Sequence, residues 1–427
     1  MLTANAHHSR VTTIIGTLMA LTIVGPPAVA RAQAPAVQPS TRATVLLEAR
    51  QAEAQLVMAP KRSSLEQWLY WFDNQYVLTK ILAGWKGIHI AGGDFPAGAG
   101  IKFGVGFDKG LTSSDGDPTL RNRLDLTARA AYSTRGYSRA RAGLAARNLG
   151  GLPIDVEGFG QVYEFPQEDF FGFGRDSVKT DRTNYLLDAV EAGGAVHWRP
   201  TLLEFGAAAS YFSPRIGHGT DSRFPSTEQR YTAAAVPGLG SETDFLTAEA
   251  SAAFNWQDNP LLPRSGGRYA VTVAHFDDRD LRVFDFRRID ISLQQYVPLP
   301  NRYRRVALRG EAVLTRADVG QSVPFYLQPT LGGSSALRGF QEFRFRDQNV
   351  LLLGAEYQWE TWWAMDTAFF VDAGTVAARR RELSVGNMDV SYGVGLRFHS
   401  NSELVGRLDL AFSREGFVPL LRFDRAF

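Results

Sequence analysis

From about Gly87 to the C-terminus, apolar and polar residues alternate with a period of two. In FLTAEASAAFNWQ, Leu246, Ala248, Ala250, Ala252, Phe254 and Trp256 share one face, while Thr247, Glu249, Ser251 and Asn255 share the other. Ile289, Ile291 and Leu293 alternate in the same way with Arg288, Asp290, Ser292 and Gln294, and Leu408, Leu410 and Phe412 with Arg407, Asp409 and Ser413. This period is that of half-buried β-strands. The segments run 10 to 15 residues, longer than the usual strand of about 5 to 6, and carry arginines and acids through their middles. A soluble sandwich would turn the apolar face inward. A membrane barrel turns it to lipid and lines its lumen with the charges, which places Phe254, Ile289, Tyr357 and Phe412 outside.

About sixteen such segments start near residues 86, 100, 122, 137, 153, 183, 203, 245, 267, 284, 303, 349, 365, 388, 404 and 418. Long connections (165–182, 213–244, 317–348) follow odd-numbered strands, and short ones (198–202, 299–302, 362–364) follow even-numbered strands. Outer-membrane barrels have short periplasmic turns and long outer loops, so the N-terminus is expected in the periplasm. The expected fold is all-β: a 16-stranded antiparallel transmembrane β-barrel over residues 85–427, with a short N-terminal periplasmic helix.

The helix comes from residues 63–84, where Leu65, Trp68, Leu69, Phe72 and Tyr76 recur at helical spacing behind a Ser64/Gln67 pair resembling a capping box. It lies at a membrane interface, plugs the pore mouth or packs across one end of the barrel. Residues 1–34 have the layout of a secretory signal peptide: His7, His8 and Arg10, the apolar run VTTIIGTLMALTIV, then small residues in PPAVARAQA. Residues 35–62 read as a linker. Removing 1–34 takes away Arg10 and Arg31 and no acid, so the formal charge falls from +2 to zero. A chain without net charge offers nothing for nucleic acid. Cysteine is absent, which removes disulfides, thiolate chemistry and cysteine metal sites together.

Within the long connection 317–348 lies LGGSSALRGF, with one charge in a glycine-flanked, apolar setting. Leu337, Arg338, Gly339 and Phe340 form an [VIL]-R-G-[FY] tip on the sixth outer loop, and Phe370, Asp372 and Gly374 form F-x-D-x-G on the thirteenth strand. With EDFFGFGRDS and DNPLLPRSGGRY, these motifs resemble the bacterial surface antigen barrels, the superfamily of the BamA/TamA assembly proteins and the two-partner secretion transporters. The chain ends on Phe427, with Phe423 before it, as outer-membrane barrels often do, although Arg425 departs from the apolar residue usual between them. Residues 33–85 read as linker and helix rather than POTRA domains, so the likeness is to members without them.

Strand phase gives these residues a role. Asp372 is in step with Asp366, Ala368 and Phe370 and opposite in phase to Met365, Phe369 and Val371, which turns it to the lumen. Leu351, Leu353, Ala355, Tyr357 and Trp359 facing lipid turn Glu356 inward. An arginine carried into the lumen is costly unless paired, and two inward acids on adjacent strands suit its planar fork. The resemblance implies that contact, Arg338 with Asp372 and Glu356; Gly339 is expected to supply backbone angles closed to other residues. It implies a function of protein insertion, assembly or translocation across the outer membrane, through a lateral seam gated by the sixth loop. The implied partners are outer-membrane lipid, unfolded outer-membrane or secreted clients, and a separate periplasmic protein. A passive pore or structural barrel is the alternative. The seven histidines are scattered, and no H-x-x-x-H pair, G-x-S-x-G elbow or P-loop is present, so no enzyme activity, metal or cofactor is expected.

Overall fold

The alternation resolves into one antiparallel sheet of sixteen strands in the computed structural model, which describes residues 87–90, 95–96, 98–111, 123–301, 303–362, 364–399 and 404–422. The expected signal segment (1–34), linker (35–62) and helix (63–84), and the terminal Phe423 and Phe427, lie outside the described residues. The strands are β1 (Ile88–Ile90), β2 (Lys102–Gly110), β3 (Arg123–Ser133), β4 (Ser138–Arg147), β5 (Ile154–Phe170), β6 (Thr183–Trp198), β7 (Leu203–His218), β8 (Phe245–Asn255) and β9 (Gly266–Asp278). They continue as β10 (Phe286–Pro298), β11 (Arg304–Ala317), β14 (Asn349–Trp362), β15 (Met365–Ala377), β16 (Asp389–His399), β17 (Leu404–Ser413) and β18 (Gly416–Arg422). The two-residue strands β12 (Thr330–Leu331) and β13 (Phe345–Arg346) pair with each other inside the connection between β11 and β14. Each barrel strand pairs with its sequence neighbour, and each starts within two residues of its expected start.

Two connections are shorter than expected because their strands run on. β5 reaches Phe170 rather than stopping near 165: a bulge between Phe165 and Glu168 absorbs Pro166 and Gln167, and pairing with β6 resumes at Glu168–Tyr185. β7 reaches His218 rather than 213. Beyond Phe212 it has β6 alone as a neighbour, since β8 begins opposite at Phe245. Pro214, which has no N–H to donate, is tolerated on that free edge.

Side-chain phase follows the barrel expectation. Phe254, Phe369, Val371, Leu408, Leu410 and Phe412 are exposed, whereas Phe370, Asp372, Arg407 and Asp409 are buried on the opposite face. Ile289 and Tyr357 are half-buried on the outer face, in step with the exposed Leu293 and Leu353. Buried apolar clusters lie at the strand ends that carry the long connections: Phe212, Phe245, Phe276 and Phe286 pack with Val323, and Phe170 and Tyr185 with Phe325. The inner faces are therefore sealed there by the connections following β7 and β11. The sheet also curls far enough for Arg175, after β5, to reach Asp389 at the start of β16 at 3.3 Å, and for Lys179 to donate to the Glu415 carbonyl at 3.3 Å.

Candidate functional site

The connection from β11 to β14 narrows to a finger. The β12–β13 pair closes its base, and the Gly333 N–H donates to the Phe340 carbonyl at 3.0 Å. The tip carries Arg338, which is 1 % exposed. Its Nε donates to Asp372 Oδ2 at 2.7 Å and its Nη2 to Asp372 Oδ1 at 2.9 Å, a two-pronged pair, and its Nη1 donates to Glu356 Oε2 at 2.8 Å. The guanidinium lies 3.5 Å from the ring centroid of Phe370, two residues before Asp372 on the same face. The structure thus brings together the finger's arginine, both inward acids and the aromatic of the strand motif.

Leu337 and Phe340 flank Arg338 and are buried with Leu331, Phe345, Val350, Leu352 and Val376. They wedge the finger against β14 and β15. Gly339 does not have the left-handed backbone expected of it; those angles occur at Gly332 (φ 114°) and Gly333 (φ 88°), where the finger bends. Gly339 is required for space instead. A Cβ there would stand 2.7 Å from Ser391 Cβ and 2.8 Å from the Phe412 carbonyl, closer than real contacts allow. Gly374 answers the same need from the wall, since a Cβ would come 2.8 Å from Leu331 Cδ1. The Gly339 carbonyl accepts from Ser413 Oγ at 2.7 Å.

The acids are shared with further buried arginines of the wall, of which phase had singled out only Arg407. Arg397 on β16 donates to Glu356 through Nε (2.9 Å) and Nη2 (2.7 Å), and through Nη1 to Asp409 Oδ1 at 2.6 Å. Arg407 donates to Asp409 Oδ2 at 2.8 Å and to the Ser334 carbonyl of the finger at 2.7 Å. Arg309 on β11 donates to the Ser335 carbonyl at 2.6 Å and the Ala336 carbonyl at 3.1 Å. Arg397 and Arg407 sit directly opposite each other across β16 and β17, and Asp409 between them removes the repulsion. Arg338, Arg397 and Arg407 balance Glu356, Asp372 and Asp409 in charge, and all six are at most 3 % exposed. Buried carboxylates at this density need such donors. Toward the opposite end of the same wall, Asp366 accepts from Arg305 Nη2 at 2.6 Å and lies 3.3 Å from His399 Nε2.

At the end of the sheet that carries the long connections a second arginine of the finger, Arg344, ties three connections together. It donates to Glu415 Oε1 (2.7 Å), Ser177 Oγ (2.8 Å) and the Ser177 carbonyl (2.7 Å). Arg346 donates to the Phe325 carbonyl at 2.6 Å among the rings of Phe170, Tyr185, Phe325 and Phe343. Chemically the assembly holds a peptide finger in the lumen; among the described residues no cluster of His, Asp and Glu suits a metal ion.

Residues 205–416 match the Omp85 superfamily domain. The solved structure of BamA from Haemophilus ducreyi lacking POTRA domains 1-3 shares the fold with a TM-score of 0.54 at 14 % identity, over 78 % of this chain and 65 % of that one. CdiB from Acinetobacter baumannii aligns with a TM-score of 0.44 at 11 % identity, over 75 % of this chain and 56 % of that one. The chain thus spans just under two thirds of the BamA structure it matches.

Proposed function

On the premise that this chain is an outer-membrane β-barrel carrying an Omp85 superfamily domain over residues 205–416, we propose that it inserts proteins into the outer membrane or passes them across it. The observation that carries this reading is the finger held in the lumen by Arg338 against β15, β14 and, through Arg397 and Asp409, the last strands of the sheet. A finger fastened to the C-terminal strands controls the edge at which the sheet's order ends. Among the described residues that order runs from β1 to β18, and a strand at the end of a sheet presents N–H and C=O groups with which an incoming strand can pair. Clients are unfolded outer-membrane or secreted chains, which pair with such an edge by β-augmentation, whether they arrive alone or on a separate periplasmic protein.

Photo-crosslinkers at Ile90 and Leu421, both exposed on the terminal strands, test the proposal against the same groups at Val196 and Val271 on the far wall. The expected result is client adducts at the first two positions and none at the others. Size-graded solute flux through planar bilayers with no adducts anywhere would instead make the protein a passive pore.

A further inference from the structure

The segment EDFFGFGRDS, which has no part in the Arg338 lock, leads from β5 into the connection 171–182 that precedes β6. Its FGFG core explains how that connection leaves the sheet. Phe171 is buried, and Phe173 lies edge-on to Phe170 with ring centroids 5.2 Å apart. Between and after them, Gly172 (φ 88°) and Gly174 (φ 83°) take left-handed backbone angles, which glycine adopts without the strain a side chain would bring. The Gly174 N–H then donates to the Arg346 carbonyl at the finger's base, at 2.9 Å. From there the connection reaches the last hairpin.

That hairpin turns in two residues, Arg414 and Glu415, between the paired Ser413 and Gly416. A two-residue turn suffices to close a hairpin, yet both of its residues are held from elsewhere. Asp389, at the start of β16, accepts from Arg414 Nε at 2.6 Å on one oxygen and from Arg175 Nε at 3.3 Å on the other. Glu415 accepts from Arg344 at 2.7 Å through its carboxylate and from Lys179 at 3.3 Å through its carbonyl. Arg344, buried, completes the set by donating to the hydroxyl and the carbonyl of Ser177, at 2.8 and 2.7 Å. In the order of the sheet, β7 to β11 and β14 to β16 separate β6 from β17, and among the described residues β18 pairs with β17 alone. The last hairpin is therefore tied at its turn to a connection that it does not adjoin in the sheet. Such ties add nothing to the turn's own geometry; they fix where the turn stands.

We propose that residues 171–182 are a strap that holds the turn of the last hairpin, with Arg344 as the clasp between them, and that the strap releases separately from the Arg338 lock. The lock seats the finger's tip at Glu356 and Asp372, midway along β14 and β15. Arg407 and Asp409 keep the middle of β17 on that lock, so lifting the strap frees the turn end of the hairpin while the finger stays seated. The strap is a property of the barrel itself and holds whether or not the protein handles clients.

Hydrogen–deuterium exchange of the full chain in lipid nanodiscs, read in peptides covering residues 411–418 and 331–340, tests it, because exchange reports local opening of each segment. Arg344→Gln should speed exchange at the hairpin turn about tenfold, the equivalent of one charge-assisted hydrogen bond. Arg344→Lys, which keeps a charge beside Glu415, should speed it less, and Arg175→Gln with Lys179→Gln should speed it severalfold. All three should leave the finger tip as slow as in the wild type, whereas Arg338→Ala should speed the finger tip more than the turn. Heat-modifiable migration on gels reports that each variant is folded. If Arg344→Gln does not fold, the Arg175→Gln, Lys179→Gln variant decides, since both side chains reach solvent. An unchanged turn in the folded variants overturns the strap, and finger and turn loosening together in every variant overturns its separation from the lock. Neither result bears on crosslinking at Ile90 and Leu421, which tests the proposed function alone.

Discussion

Arginine–carboxylate pairs line both halves of the lumen, but they work under different conditions. On the wall built by β4 to β9, Arg141 donates to Glu157 at 2.8 Å and Arg268 to Glu204 at 2.8 Å, with side chains 36 % and 23 %, and 37 % and 26 %, exposed. On the wall built by β14 to β17, Arg338, Glu356, Asp372 and Asp409 make bonds of similar length at 2 % or less. The chemistry is shared; what differs is the finger, which covers the second wall and excludes water from it. Exposed pairs contribute about 0–1 kcal/mol. Breaking a buried pair strands a charge and costs about 3–5 kcal/mol. The first wall can therefore lose a partner and remain a wetted channel surface, while the second behaves as a unit.

The largest expected effect follows from removing the finger's charge. Arg338→Ala leaves Asp372 and part of Glu356 without their donor, and should destabilise the folded barrel by about 3–5 kcal/mol in urea titrations followed by gel migration, with protease cleavage appearing between 318 and 348. Next comes space. Gly339→Val forces a side chain against Ser391 and the Phe412 carbonyl and should cost about 1–3 kcal/mol, whereas Gly320→Ala, in the same connection with open space around its Cβ and only a φ of 77° to strain, should cost about 1 kcal/mol. Smaller still is Arg141→Ala on the open wall, at less than about 1 kcal/mol in the same titration. If Arg141→Ala were as damaging as Arg338→Ala, the contrast between the walls would vanish.

Salt sharpens the same contrast. Raising ionic strength toward 1 M shortens the Debye length to about 3 Å and should weaken the Arg141–Glu157 and Arg268–Glu204 pairs, leaving protection of the finger against protease unchanged. Finger cleavage that rises in step with salt would mean that water reaches Arg338.

How much of this could be read in advance depended on whether the information was local. The alternation through Leu246–Trp256 or Leu408–Phe412 fixes inside and outside residue by residue, because a strand has no other way to arrange a period of two. Strand ends were less legible where the pattern was broken by Pro166 and Pro214, which pairing tolerates at a bulge and at a free edge. Arg338, Asp372 and Glu356 could be singled out from phase and motif together. Arg407 and Asp409 were visible as inward-facing charges, but Arg397 was not singled out, and the way it joins Glu356 to Asp409 depends on register across four strands and on how deep the finger reaches. No sequence pattern states that depth. Gly339 was misread for a related reason: its need is for room beside Ser391, on a strand more than fifty residues away, and not for a local backbone angle.

The central claim is that Arg338 and the wall acids form one buried unit that fastens the finger. It is tested most directly by a double-mutant cycle on Arg338→Ala and Asp372→Ala, read as unfolding free energy of the full barrel in lipid vesicles. A single unit predicts that the double variant loses less than the sum of the single losses, with a coupling of about 1–3 kcal/mol. Losses that add would contradict it, because the arginine and the acid would then stand independently and the finger would be held by something else.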